Sequence, residues 1–132
     1  MLNTFPDLLI YSFFAPTILR VGVAIVFLYG AYVQYSRIEE LSHLELPVFG
    51  RAPWAIWLSI LAHVAIGLML LLGYYTQIAA ILGLLGGIKG VVYAKKYPRL
   101  FPLCRLEYGF VILICFSLLL SGAGAFAYDL PL

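Results

Sequence analysis

A small set of polar side chains interrupts the long apolar runs of this chain, and these side chains are the candidates for ligand binding or proton transfer. They are a guanidinium, a carboxamide, a hydroxyl, an imidazole, an ammonium and a carboxylate: Arg20, Gln34, Ser59, His63, Lys89 and Glu107. At membrane depth such groups usually bind polar ligands, relay protons or pair with one another. Each of them could equally be a hydrogen-bonded structural residue.

The composition indicates that lipid surrounds these groups. Of the 132 residues, 64% are hydrophobic and only 11% are charged, with a mean hydropathy of +1.05. A soluble domain carries about 25% charged residues, and a soluble chain of this size could not cover so much apolar material with polar surface. We expect one integral membrane domain over residues 1–132. The net charge of +2 and the scattered basic residues argue against a nucleic-acid partner.

Four apolar stretches are long enough to cross a bilayer as helices, which takes about 20 residues. They cover residues 16–35, 53–72, 76–93 and 105–121. Residues 5–15 are too short to cross and are expected to lie along the interface. The predicted fold is an all-α membrane four-helix bundle with a short N-terminal interfacial segment.

The charge distribution predicts the orientation of the bundle. Because two spans separate them, the connections 36–52 and 94–104 lie on the same side of the membrane. Arg20 is the one basic residue near the opposite face, whereas six border these connections: Arg37, Arg51, Lys95, Lys96, Arg99 and Arg105. The positive-inside rule makes both connections cytoplasmic and places both termini outside.

Arg20 begins a stripe along the first span. At about 100° per residue, Arg20, Phe27, Ala31 and Gln34 share one face, which we expect to point into the bundle. Arg20 is either a structural residue paired with Asp129 or part of a ligand site.

His63 lies about halfway along the second span. It is either a neutral, hydrogen-bonded core histidine or a ligand-binding residue. The only other histidine, His43, is in a connection. Haem between spans generally requires histidine pairs at membrane depth, and a metal needs more donors than this chain offers. We therefore expect neither haem nor a metal ion.

Lys89 and Glu107 fall near the same boundary of the predicted bundle. An ion pair between them would avoid two isolated charges. Alternatively, Lys89, Glu107, Gln34 and Tyr93 line a polar pocket open to the cytoplasm. Small residues four apart, Gly83–Gly87 and Gly86–Gly90, predict close helix approach on this span.

Three segments resemble the DoxX family of small four-helix membrane proteins. They are "ILRVGVAIVFLYGAYVQY", "AIGLMLLLGYYTQIAAILGLLGG" and "LEYGFVILICFSLLLSGAGAFAYDLPL", and they cover most of the chain from residue 17 onward. The positions that match the family's recurring residues are Arg20, Glu107, Gly122, Gly124 and Asp129. The chain departs from the family at His63, near where many members have a glutamate, and in its long connection 36–52.

The resemblance implies a protein of the bacterial or archaeal plasma membrane. Founding members look like membrane subunits of thiosulfate:quinone oxidoreduction, which makes a quinone the candidate cofactor, held as a hydrophobic ligand inside the bundle. Other relatives act in oxidative stress or as assembly factors. The alternatives are therefore a non-catalytic accessory subunit of a larger complex, or a small transporter. The expected partners are membrane lipid and other membrane or redox subunits, or a second copy of the chain.

Overall fold

The computed structural model describes residues 14–42, 53–96, 98, 101, 103–122, 124, 127 and 128. This part of the chain forms five helices and no strand: α1 (Ala15–Ser36), α2 (Ile38–Ser42), α3 (Pro53–Leu72), α4 (Thr76–Tyr93) and α5 (Arg105–Ser121). The all-α prediction is confirmed, and the four long helices match the predicted spans to within a residue. The expected interfacial segment 5–15 falls almost entirely outside the described residues.

Three of the described helices are long and apolar enough to cross a bilayer: Ala15–Ser36, Trp54–Leu72 and Thr76–Tyr93. Their outward faces carry large apolar side chains such as Ile25, Leu61 and Ile81, which suit contact with lipid. The chain is thus a membrane protein. α5 has 17 residues, and its crossing stays a prediction.

The four long helices pack as a ring. α1 lies against α3, and α4 against α5, in the two most extensive contacts, while α1–α5 and α3–α4 complete the ring with sparser ones. The short helix α2 rests on α1 and α3. One end of the bundle, here the turn end, carries the connection between α3 and α4. The other end, the loop end, is where α1 and α4 end and where α3 and α5 begin.

The buried apolar side chains form two clusters, one toward each end. Val23, Phe27 and Leu70 belong to the turn-end cluster, and Ile56, Ile60 and Tyr108 to the loop-end cluster. On α3, His63 lies between the residues of the two clusters, so a polar residue interrupts the apolar core at this level.

The turn between α3 and α4 depends on a glycine. Gly73 has φ +67°, a left-handed conformation that glycine adopts without strain. It also faces the Arg20 guanidinium, and an added Cβ would lie 2.8 Å from the Ala127 Cα. No larger side chain fits there, so this glycine lets the hairpin close over Arg20.

The glycines of α4 provide the surface on which α5 packs. A Cβ added at Gly83 would lie 3.0 Å from the Cys115 Sγ, and one at Gly87 would lie 2.8 Å from the Ile112 Cγ1. A Cβ at Gly90 would collide with the ring of Tyr108. The close helix approach predicted from the small residues is confirmed, and we call Gly83, Gly87 and Gly90 the glycine face.

Candidate functional site

The polar stripe of α1 faces the bundle interior, as its spacing predicts. Arg20 is 2% exposed and Gln34 is 1% exposed, and Phe27 and Ala31 between them are also buried. At about 1.5 Å per residue, the 14 positions between Arg20 and Gln34 separate them by roughly 21 Å. The two polar groups therefore lie at opposite ends of the bundle and do not form one site.

A chain of hydrogen bonds joins α1 to α3 at Gln34. The Ser59 hydroxyl donates to the Gln34 Oε1 at 3.1 Å, and the His63 Nδ1 lies 2.7 Å from the Ser59 carbonyl oxygen. A carbonyl can only accept, so Nδ1 must carry the hydrogen. In the neutral ring, Nε2 then keeps its lone pair. We call Gln34, Ser59 and His63 the polar seam.

The other edge of the His63 ring faces a gap on α1. A Cβ added at Gly30 would lie 3.4 Å from the His63 Cδ2 and 3.9 Å from Nε2. The Phe27 ring lies beyond, with its centroid 5.6 Å from that of His63 and a tilt of 47°. Gly30 and Phe27 thus hold a half-buried imidazole between the two apolar clusters.

Lys89 is a charged group that interacts electrostatically with this imidazole. It is exposed on α4, yet within electrostatic range of His63. The two residues belong to α3 and α4, whose mutual contacts are the sparsest in the ring. The arrangement therefore offers a hydrogen-bond acceptor and a cation along the least tightly packed side of the bundle.

Glu107 is engaged at the start of α5. Its Oε2 accepts a hydrogen bond from the Cys104 N–H at 2.7 Å, and the Cys104 thiol accepts one from the Glu107 backbone N–H. This is a capping box, which satisfies amide groups that the helix itself leaves open. Lys89 and Glu107 are both exposed, and an ion pair between them stays a prediction.

Tyr93 belongs to an aromatic group between α4 and α5. Its ring stacks on Phe101 at a centroid distance of 6.5 Å, and Phe101 meets Tyr108 edge-on at 5.9 Å. Of the residues predicted to share a site, Gln34 and His63 are joined through Ser59, and Lys89 interacts electrostatically with His63. Tyr93 and Glu107 lie instead where α4 ends and α5 begins.

Arg20 is packed at the turn end against Gly73, and Ala127 lies against the same glycine. Gly124 also lies against α1 here, since a Cβ added at this glycine would lie 3.0 Å from the Thr17 backbone nitrogen. Asp129 is outside the described residues, so the predicted Arg20–Asp129 pair stays a prediction.

Sequence reasoning did not assign some of these contacts to a site. Ser59 was detectable as a polar residue four positions before His63, the spacing that puts two side chains on one helix face. The pattern Cys104-x-x-Glu107 was the signal for the capping box, with a thiol in place of the usual hydroxyl. Nothing in the sequence indicated that Gly30 faces the imidazole.

Among the described residues, cavities open at the loop end in two places. One, of about 850 Å³, lies where α1, α2 and α3 meet, between Arg37 and Trp57. The other, of about 420 Å³, lies between the end of α4 and the start of α5, with Lys95 and Arg105 in its wall. In the described part of the chain, no three His, Cys, Asp or Glu side chains come together as metal ligands.

A ring of apolar helices with a polar seam inside defines a small all-α integral membrane protein. The model of the DoxX family matches residues 15–87, more than half of the chain. The chain therefore belongs to the DoxX family. The matched region holds α1, α3 and most of α4, whereas Glu107, Gly122, Gly124 and Asp129 lie beyond it. No curated protein and no solved structure matches the chain.

Proposed function

We propose that this DoxX protein is the membrane subunit of a quinone-linked oxidoreductase, and that its polar seam and Lys89 bind the quinone headgroup. The carrying observation is the half-buried His63, whose Nδ1 is fixed by the Ser59 carbonyl while Nε2 keeps its lone pair, and whose ring interacts electrostatically with Lys89. Membership in the family, whose founding members are linked to quinones, supports the same conclusion.

The residues of the seam fit the chemistry of a quinone. A quinone takes up two electrons and two protons at its two oxygens. The Lys89 ammonium is a donor suited to a carbonyl oxygen, and the neutral His63 Nε2 is an acceptor suited to the hydroxyl of the reduced form. These side chains bind the headgroup and accept or supply protons, and a partner subunit carrying a redox group delivers the electrons.

The positions along the hairpin support access between α3 and α4. His63 lies nine residues before the end of α3, and Lys89 lies 13 residues after the start of α4. At 1.5 Å per residue they are roughly 14 and 20 Å from the turn, a difference that the long lysine side chain can span. A headgroup entering from the lipid along this side would meet both groups, with apolar helix faces around its ring.

Bound quinone is the direct test. The protein is purified in mild detergent, and its extract is analysed for quinones by mass spectrometry. We expect stoichiometric quinone in the wild type and at least a tenfold loss in Lys89→Met and His63→Ala. Lys95→Met is the matched control, because it removes an equally exposed ammonium at a distance from the seam.

The fold is checked in each variant by circular dichroism and by size-exclusion elution. Loss of quinone with the fold intact supports the proposal. Equal quinone content in Lys89→Met, His63→Ala and the control would refute it. A wild-type protein that carries no quinone but co-purifies with other subunits would favour the accessory role instead.

A further inference from the structure

We propose that the cavity between α4 and α5 binds the phosphate headgroup of an anionic phospholipid. We call this cavity the α4–α5 groove. It has a volume of about 420 Å³, and buried Ala94 and Phe101 contribute to its wall together with exposed Lys95 and Arg105. Its size lies within the range of small-molecule sites, roughly 300–1,000 Å³.

The guanidinium of Arg105 is fixed in place by one contact. Its Nε donates to the Val91 carbonyl oxygen at 2.9 Å, which ties the start of α5 to the last turn of α4. No acidic side chain among the described residues pairs with Arg105 or with Lys95. Two cations on one groove without a carboxylate partner are complementary to an anion.

The position of the groove at the end of α4 favours a phospholipid as the source of that anion. Lys95 follows the end of α4, one of the three helices that are long and apolar enough to cross a bilayer. Exposed apolar side chains lie near the two anchoring positions in the sequence: Val92 comes three residues before Lys95, and Leu106 follows Arg105. If the two cations hold the phosphate of a phospholipid, its acyl chains can lie along the apolar surface of the helices. Basic pockets at the ends of membrane helices bind anionic headgroups in this way.

The N-terminus of α5 contributes little to the attraction, because the Glu107 carboxylate already offsets the positive end of the helix dipole. The capping box already occupies the Cys104 and Glu107 amide groups, so the side chains of Lys95 and Arg105 supply the main contacts. These two residues are not part of the polar seam, so lipid binding in the groove does not depend on quinone binding at the seam.

Native mass spectrometry of the detergent-purified protein measures the binding. Phosphatidylglycerol and phosphatidylcholine with the same acyl chains are titrated in parallel. Each cation near an anionic surface contributes roughly fivefold in affinity. Lys95→Gln should therefore weaken phosphatidylglycerol binding about fivefold, and the double variant Lys95→Gln with Arg105→Gln about 25-fold. Binding of phosphatidylcholine should change little in either variant.

Lys96→Gln is the matched control. Lys96 is the exposed neighbour of Lys95, but it does not line the groove, so its loss should change affinity less than twofold. Lys95→Gln removes no described contact and keeps the test valid if the Arg105 variant fails to fold. Equal effects of Lys95→Gln and Lys96→Gln, equal binding of the two lipids, or tighter binding of inorganic phosphate than of phosphatidylglycerol would each overturn the proposal.

Discussion

Gly90 offers a quantitative test of how α4 and α5 fit together. A methyl group at this position would overlap the Cγ, Cδ1 and Cε1 atoms of the Tyr108 ring. Tyr108 is 7% exposed, and Phe101 meets its ring edge-on at 5.9 Å. All three atoms lie beyond Cβ, so the overlap is relieved either by a different Tyr108 rotamer, which breaks the contact with Phe101, or by a shift of α5 away from α4. Either change disturbs the packing of α5 on the glycine face.

The expected cost follows from two opposing effects. Overpacking a well-packed site costs about 1–3 kcal/mol, whereas alanine gains up to about 1 kcal/mol over glycine inside a helix. We expect Gly90→Ala to lower the free energy of unfolding by roughly 0–2 kcal/mol, and to be about 1–3 kcal/mol less stable than a glycine-to-alanine change that causes no overlap. The assay is unfolding in mixed micelles with increasing denaturing detergent, followed by far-ultraviolet circular dichroism.

Gly109→Ala is the matched control, because a Cβ added there meets no atom within 4 Å. It should be neutral or slightly stabilising. The double variant Gly90→Ala with Tyr108→Leu should show favourable coupling between the two changes, since the smaller side chain relieves the overlap. If Gly90→Ala is as stable as Gly109→Ala, the packing derived for the glycine face is refuted.

Two further predictions concern the polar seam and the orientation of the chain. Ser59→Ala removes the donor to the buried Gln34 oxygen and should lower the free energy of unfolding by about 1–3 kcal/mol. Ser36 is exposed, so Ser36→Ala should lower the free energy of unfolding by less in the same denaturation assay. Equal losses in the two variants would contradict a stabilising role of the polar seam. A membrane-impermeant maleimide should label exposed Cys104 in inverted vesicles but not in intact cells, and buried Cys115 in neither before denaturation. Labelling of Cys104 in intact cells would reverse the predicted orientation.

The helix boundaries were largely predictable, because strong local signals mark them. A proline follows the first residue of α1, and another is the first residue of α3, where a missing N–H costs nothing. Gly73, in its left-handed conformation, separates α3 from α4. The long apolar runs between these signals are expected to be helical, because backbone N–H and C=O groups in lipid must form hydrogen bonds within the segment itself.

The partners of the polar groups were not predictable in the same way. The spacing of Arg20 and Gln34 puts both on the inner face of α1, and burial confirms this. Spacing alone cannot say which helix lies opposite Gln34, and the bond to Ser59 depends on α1 packing against α3. For Glu107, a cap within its own helix competes with any partner on α4. A cysteine at the cap position gives a weaker sequence signal than serine or threonine does.

The charges at the start of α5 bear on whether this helix spans the membrane. Its 17 residues extend about 25 Å, slightly less than the hydrocarbon thickness of roughly 30 Å. Arg105 and Glu107 would make a poor first turn for a spanning helix if their polar groups had no partners. However, Arg105 donates to Val91 and Glu107 accepts from Cys104, which anchors both residues at one level. With these charges at the interface and an apolar stretch following to Ser121, α5 is suited to cross. The maleimide reaction of Cys104 reports which side of the membrane that anchored level occupies.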